Sequence, residues 1–339
     1  MVKFLIIRFS SIGDIILTTP LVRCLKSQVN EAEIHYLTKS RYSQILTANP
    51  YIDKIHLLKK NLPEVIKELR KEKFDYIIDL HRNIRTFRVK SSLRRISFAF
   101  NKLNLRKWMF VSLKWNRLPH KHIVDRYMDT LRLFSVKNDE KGLDFFVPPS
   151  EEINLEKILG KEPQKLVSLI VGGGHYTKQI PAEHIIDLIR KLEVDVILLG
   201  GIEDVNKAAG IMSEIKKKNV YDVTGKLSLN ESASILCKSD IIITPDTGMM
   251  HVAAAFKKNI LSIWGNTVPE FGMYPYQPGS ESKIFQVTNL HCRPCSKIGF
   301  SSCPRKHFHC MLKQDINEIV KTINKLLFNE AVTFHKGSA

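Results

Sequence analysis

The stretch I-I-I-T-P-D-T-G-M-M-H-V-A-A-A-F-K-K-N-I-L-S-I-W-G, Ile241–Gly265, decides the fold. Ile241, Ile242 and Ile243 form a β-branched apolar run, the pattern of a strand buried on both faces of a parallel sheet. Pro245-Asp246-Thr247-Gly248 stops the run. A helix rich in Ala and Met follows, closed by Lys257, Lys258 and Asn259, and a second strand, Ile260–Trp264, ends at Gly265. Strand, tight turn, helix, strand is the unit of an open α/β sheet, which binds ligands at the carboxyl ends of its strands. Asp246 or Thr247 can cap the helix, and Gly248 lets a ligand approach the backbone. Free amides and the positive end of the helix dipole suit a phosphate there. An ordinary capped turn of any doubly wound domain would look the same.

The same alternation runs outward in both directions. Toward the N-terminus, Val2–Phe9 reads as a buried strand left by the loop Ser10-Ser11-Ile12-Gly13-Asp14. A helix is predicted over Asp14–Val29, which Pro20 must kink or restart. Ile34–Thr38, Lys54–Leu58 and Asp75–Leu80 read as further strands, with a short helix at Tyr42–Ala48 and another starting at Pro63. Nearer the opening stretch, Leu166–Val171 is a strand ending at Gly172-Gly173-Gly174, and Val194–Leu199 is one ending at Gly200-Gly201. Helices are expected at Pro181–Leu192, Glu203–Lys217 and Leu229–Cys237. Two α/β units of similar size result, residues 1–150 and 151–314, joined near Pro148-Pro149-Ser150. A last amphipathic helix, Asp315–Phe328 within residues 315–339, can pack back on the first unit, and residues after Asn329 look frayed.

A chain of 339 residues suits two domains, and 44% hydrophobic with 25% charged residues is ordinary for a globular protein. No apolar run approaches the ~20 residues of a membrane span, and the N-terminus is a poor signal peptide. A cytoplasmic location is expected. The net charge of +18 is concentrated: His81–Ile123 holds twelve Lys/Arg and no Asp or Glu, interleaved with Phe87, Phe98, Phe100, Trp108, Phe110 and Trp115. Such a segment can contact nucleic acid, an anionic membrane or an acidic substrate. A dinucleotide site is disfavoured, because no G-x-G-x-x-G follows the first strand.

Three motifs carry a family resemblance. S-S-I-G-D with Thr18-Thr19-Pro20, P-D-T-G-M-M-H-V-A-A-A, and Gly265-Asn266-Thr267-Val268-Pro269 together resemble the heptosyltransferases of glycosyltransferase family 9, over about Met1–Tyr274. The resemblance implies a GT-B fold, two Rossmann-like doubly wound parallel-sheet domains facing a central cleft. It also implies inverting, metal-independent transfer of heptose from ADP-heptose to a Kdo or heptose hydroxyl of the lipopolysaccharide inner core, with no cofactor. The implied partners are the nucleotide sugar, a phosphorylated lipid acceptor and the anionic face of the inner membrane, where the enzyme would sit peripherally. Nucleic acid is not among them; a binding module has no need of cleft carboxylates, which repel phosphates.

On this resemblance Asp14 is the general base, taking the acceptor proton; as a bare residue it reads equally as a helix cap. Ser11, Gly13, Arg82, Arg85 and Arg88 fall on the acceptor side. Lacking a D-x-D pattern, the leaving diphosphate must be met by cations and amides. Lys178, Thr247 and Gly248 match the family's phosphate contacts, Asp246 its sugar contact, Glu203 its ribose contact, and the backbone near Leu227 its base contact. His251 can donate to phosphate or sugar, or be a satisfied core histidine. Finally, Cys292, Cys295, Cys303 and Cys310, with His291, His307 and His309 near, can form a structural metal site, stand as reduced thiols in a basic acceptor-side loop, or serve a redox or disulfide role. Arg293, Lys297, Arg305 and Lys306 add positive charge around them.

Overall fold

The computed structural model describes residues 1–59 and 61–328; the fraying expected after Asn329 lies outside the described residues. The first sheet is built from β1 (Val2–Ile7), β2 (Ala32–Lys39), β3 (Lys54–Leu58), β4 (Tyr76–Asp79) and β5 (Ile96–Ala99), all parallel, in the order β3-β2-β1-β4-β5. Its helices are α1 (Ile12–Ile16), α2 (Thr19–Gln28), α3 (Leu62–Lys71), α4 (Ile84–Leu93), α5 (Asn104–Leu113) and α6 (Ile123–Met128).

The second sheet is also fully parallel: β6 (Leu166–Ile170), β7 (Asp195–Leu199), β8 (Val220–Asp222), β9 (Ile241–Pro245), β10 (Asn259–Trp264) and β11 (Lys283–Gln286), in the order β11-β10-β9-β6-β7-β8. Its helices are α7 (Leu155–Leu159), α8 (Ala182–Arg190), α9 (Val205–Ser213), α10 (Leu229–Lys238), α11 (Gly248–Ala255), α12 (His309–Leu312) and α13 (Ile316–Phe328).

Both faces of each sheet are buried, as the apolar runs require. Phe4 and Ile6 of β1 face one core while Leu5 and Ile7 face another. A continuous apolar cluster joins the two domains, from Phe4, Ile6 and Ile15 to Ile170, Ile242, Met250 and Trp264. Each fully buried Ile, Leu or Phe there contributes about 1.5–3 kcal/mol. A second seam is polar. The Ile123 amide donates to the Gly272 carbonyl (2.8 Å), Arg126 donates to the Phe271 carbonyl (3.2 Å), and Asn138 donates to the Tyr276 hydroxyl (2.7 Å). His122 makes a 2.9 Å bond to the Tyr274 carbonyl, while its Nδ1 accepts from the Val124 amide. With Nδ1 accepting, Nε2 carries the proton and donates.

Of the two readings of Pro20, the restart holds: it sits in the first turn of α2, and a separate short helix, α1, precedes it. Proline lacks the amide an interior turn needs, but the first turn has no use for it. The basic segment, read as helices and loops, also supplies a fifth strand, β5, whose Ile96 and Ala99 are exposed at the sheet edge. The final helix does not carry its apolar face to the first domain. Ile316, Ile319 and Ile323 of α13 belong to the core of the second domain, packed with Ile185 and Ile189 of α8.

Candidate active site

In an open parallel sheet the ligand crevice opens where the strand order reverses. In the first domain that point lies between β1 and β4, whose loops carry Asp14 and His81. In the second it lies between β6 and β9, whose loops carry Lys178 and Asp246. The two crevices face each other through α1 and α11.

Arg8 leaves β1 and is almost fully buried. Its Nη2 pairs with Asp14 Oδ1 at 2.6 Å; its other donors reach the Ser10 carbonyl (2.8 Å), the Tyr127 hydroxyl (3.1 Å) and the Leu80 carbonyl. Asp14 Oδ2 accepts from the Ser11 hydroxyl at 2.8 Å and the Ser11 amide at 3.2 Å. Burial pushes the Asp14 carboxyl upward, but the Arg8 charge and the Ser11 donors outweigh it and hold Asp14 below the ordinary carboxylate range. Asp14 is therefore an ionised carboxylate, in the capping box of a five-residue helix and 21% exposed. The capping turn that seats Asp14 also fixes the orientation of its carboxylate.

Across the crevice, the Lys178 ammonium pairs with Asp246 Oδ2 at 2.6 Å, and the Thr267 hydroxyl donates to the same oxygen at 2.8 Å. Asp246 is thus tied to the loop after β6 and the loop after β10, and it is not a helix cap. Thr247 holds the cap position of α11, but its side chain makes no capping bond, and its hydroxyl lies 3.2 Å from that of Thr244. The first-turn amides of α11 are left without a side-chain cap, at the positive end of the helix. Gly248 is needed because a Cβ there would lie 2.8 Å from the Ile12 Cβ. Gly13 answers it: a Cβ on Gly13 would lie 2.5 Å from His251 Cδ2. His251 is buried, its Nδ1 has no hydrogen-bond partner, and burial pushes its pKa down to about 4. It is a neutral imidazole at the seam between the two loops.

The remaining positions expected to meet the donor are more open. Glu203 is exposed just past β7, and the carboxylate that closes this turn is its neighbour Asp204, which accepts from the Gly201 amide at 3.0 Å. Leu227 is partly buried at the start of the loop before α10. On the acceptor side, Arg85 and Arg88 are exposed on α4, while Arg82 bonds the Phe100 carbonyl at 3.2 Å and lines a hollow of about 340 Å³ beside Asn83 and Phe87.

Several residues of the site were not read from the sequence. His81 follows β4 at the reversal point, its Nδ1 is unpartnered, and burial beside Arg8 pushes its pKa down to about 4. A polar residue at the carboxyl end of that strand was a usable signal. Burial also lowers Lys102, and lowers Lys107 to about 8, with Arg8 and Asp14 among the charges both respond to. Thr267 lies in the quoted G-N-T-V-P run, but its bond to Asp246 is not legible there.

The cysteines are free thiols. Cys292 Sγ lies 3.8 Å from His307 Nε2, and burial pushes Cys310 up to about 12. Among the described residues, no three of these sulfurs and imidazoles come within 4.8 Å of one another as a metal cluster would require. Arg293 is corrected: it is structural, donating to the Gly265, Thr267 and Val287 carbonyls at 2.6, 2.8 and 3.0 Å. Lys114, at the end of α5, reaches across to the Cys292 and Pro294 carbonyls.

Two parallel-sheet domains with paired crevices at their reversal points are the GT-B architecture. The chain belongs to glycosyltransferase family 9 (heptosyltransferase), whose sequence model matches residues 63–304. A lipopolysaccharide heptosyltransferase 1 from Campylobacter coli is 26% identical over 289 residues, covering 78% of this chain and 84% of that one. Among solved structures, a family 9 glycosyl transferase from Veillonella parvula superimposes with a TM-score of 0.79 at 21% identity, covering 97% and 98% of the two chains. ADP-heptose lipopolysaccharide heptosyltransferase II of Escherichia coli gives 0.73 at 16% identity, covering 97% and 100%. At these identities the structural likeness speaks for the fold.

Proposed function

We propose that this enzyme transfers a heptose from ADP-heptose to a Kdo or heptose hydroxyl of the lipopolysaccharide inner core, with inversion and without a metal. The observation that carries the reading is the meeting of the Asp14 loop with the Lys178–Asp246 pair through the Gly13–His251 contact. The acceptor hydroxyl gives its proton to Asp14 as its oxygen attacks the anomeric carbon. The bond from that carbon to the diphosphate oxygen breaks, and ADP leaves with the electron pair. Lys178 and the α11 amides offset the charge that develops on the leaving oxygens. Arg8 keeps Asp14 ionised and aimed. Glu203 and the backbone near Leu227 hold the nucleoside, and Asp246, Thr247 and Gly248 hold the sugar and diphosphate.

Arg82, Arg85 and Arg88 meet acceptor phosphates. The exposed Ile84, Phe87, Trp108 and Trp115 stand on the same basic segment, a combination suited to an anionic membrane surface. Among the described residues, no helix is long and apolar enough to cross a membrane. Another nucleotide sugar or glycan acceptor on the same machinery is the second reading, since diphosphate contacts do not specify the sugar. Comparing ADP-heptose with other nucleotide sugars in one transfer assay, using Kdo-lipid acceptor and EDTA, tests both: turnover confined to ADP-heptose supports the first.

A further inference from the structure

A separate group of metal-ligating side chains lies far down the first sheet, toward the amino ends of its strands. His35 on β2 and His56 on β3 are both buried, and their Nδ1 and Nε2 atoms lie 2.9 Å apart. Glu72, which caps the carboxyl end of α3, brings Oε2 to 3.9 Å from His35 Nδ1. The three ligand atoms lie within 4.8 Å of one another. The strand register explains the meeting: His35 stands opposite Lys54 and His56 opposite Leu37, so the imidazoles sit one strand apart on the face that α3 covers. We propose that His35, His56 and Glu72 form a binding site for a divalent metal ion of the zinc class, one that clamps β2, β3 and α3 together.

The surroundings are those of a ligand set. His35 Nε2 is 2.7 Å from Glu33 Oε1, and Glu33 is itself paired with Lys3 at 3.1 Å. A carboxylate on the far nitrogen fixes the proton on Nε2 and leaves the Nδ1 lone pair facing His56. Lys54 occupies Glu72 Oε1 at 2.6 Å, so the other oxygen is the one turned toward the histidines. Phe74 packs edge-on against both rings, at 5.1 and 6.1 Å between centroids, and limits their rotation. Two nitrogens 2.9 Å apart can share an ion at about 2.0–2.1 Å from each. Binding moves the His56 proton from Nε2 to Nδ1 and releases none. Two imidazoles and one carboxylate are a nitrogen–oxygen set for zinc or cobalt, with a position left for water.

The test uses the full-length protein, stripped with chelator and kept reduced, and titrated with zinc and with cobalt as the optical probe. Cobalt held by nitrogen and oxygen shows visible d–d bands without the near-ultraviolet thiolate band that the Cys292–Cys310 region would give. The expected result is one equivalent bound with such a spectrum, lost in His56→Gln and at least about tenfold weaker in Glu72→Gln. Zinc also raises the melting temperature of the wild type, and raises it less in Glu72→Gln, a change at a helix end that leaves the histidine pair in place. A thiolate-type spectrum unaffected by either variant overturns the proposal. So does a wild type whose melting temperature ignores zinc, which would make the cluster a hydrogen-bonded pair and nothing more.

Discussion

Gly13 and His251 touch across the cleft. A Cβ on Gly13 would lie 2.5 Å from His251 Cδ2 and 3.3 Å from the Gly248 Cα, so the two sequence motifs of the site are fitted to each other. Gly13→Ala must therefore push α1 away from α11. The expected cost is about 1–3 kcal/mol of stability, with a loss of at least about tenfold in kcat/KM as the base moves relative to the donor. Gly174→Ala is the control, since nothing lies within 4 Å of a Cβ there. Melting curves and initial rates on both variants check it.

Lys178 and Asp246 hold each other at 2.6 Å, and on the proposed reading a diphosphate competes for the ammonium. Lys178→Met removes a charged donor, worth about 1.5–3 kcal/mol, or roughly 10–100-fold in Kd for ADP. Thr267→Val leaves Lys178 in place and loosens only Asp246, so ADP should bind nearly as before while the sugar nucleotide binds more weakly. Calorimetry with ADP and with ADP-heptose separates the two effects.

Acid should weaken the fold well before the carboxylates protonate. His81, His122 and His251 are pushed by burial to about 4, 3 and 4, from an ordinary value of 6.5. Between those values the unfolded chain binds protons that the folded chain refuses. Their stabilisation is therefore present above about pH 6.5 and is lost as pH falls toward 4, at roughly 1.4 kcal/mol per pH unit for each histidine. His122→Gln should flatten the slope of denaturation free energy against pH over that window. An unchanged slope would mean that His122 charges as readily in the fold as outside it.

The basic segment predicts salt-dependent adsorption. Reversing Arg85 and Arg88 to Glu should weaken binding to anionic vesicles by about 1 kcal/mol or more per residue, and the difference should shrink in high salt. Sedimentation with vesicles of anionic and of zwitterionic lipid gives the comparison.

Much of this was legible in the sequence. Ile241–Gly265 gave strand, turn and helix because β-branched runs and a Pro-Asp-Thr-Gly break are local signals, and β9, α11 and β10 fall where that pattern puts them. Asp14 and Lys178 match family motifs, and the structure brings their loops to facing crevices. What stayed hidden depends on distant chain. Arg8 looks like one more residue of a buried strand until Asp14, Leu80 and Tyr127 close around it. Arg293 looks like surface charge until three carbonyls claim it. The edge strand β5 is only four residues long and exposed, and the basic residues around it mask the alternation of Ile96 and Phe98. The direction in which α13 packs is likewise fixed by α8, not by its own amphipathic pattern.

The central claim is that Asp14 is the base of an inverting transfer that needs no metal. It is tested most directly by transfer from ADP-heptose to a Kdo-lipid acceptor, wild type against Asp14→Asn, with EDTA in both reactions. Because Arg8 and Ser11 hold Asp14 below the ordinary carboxylate range, the wild-type rate should show no acid limb from this group within that range. The account predicts that wild-type turnover survives EDTA with inversion at the anomeric carbon. It predicts a fall of about 10²–10⁴ in Asp14→Asn, with ADP binding retained. Wild-type turnover abolished by EDTA, or an Asn variant that transfers at the wild-type rate, would contradict it.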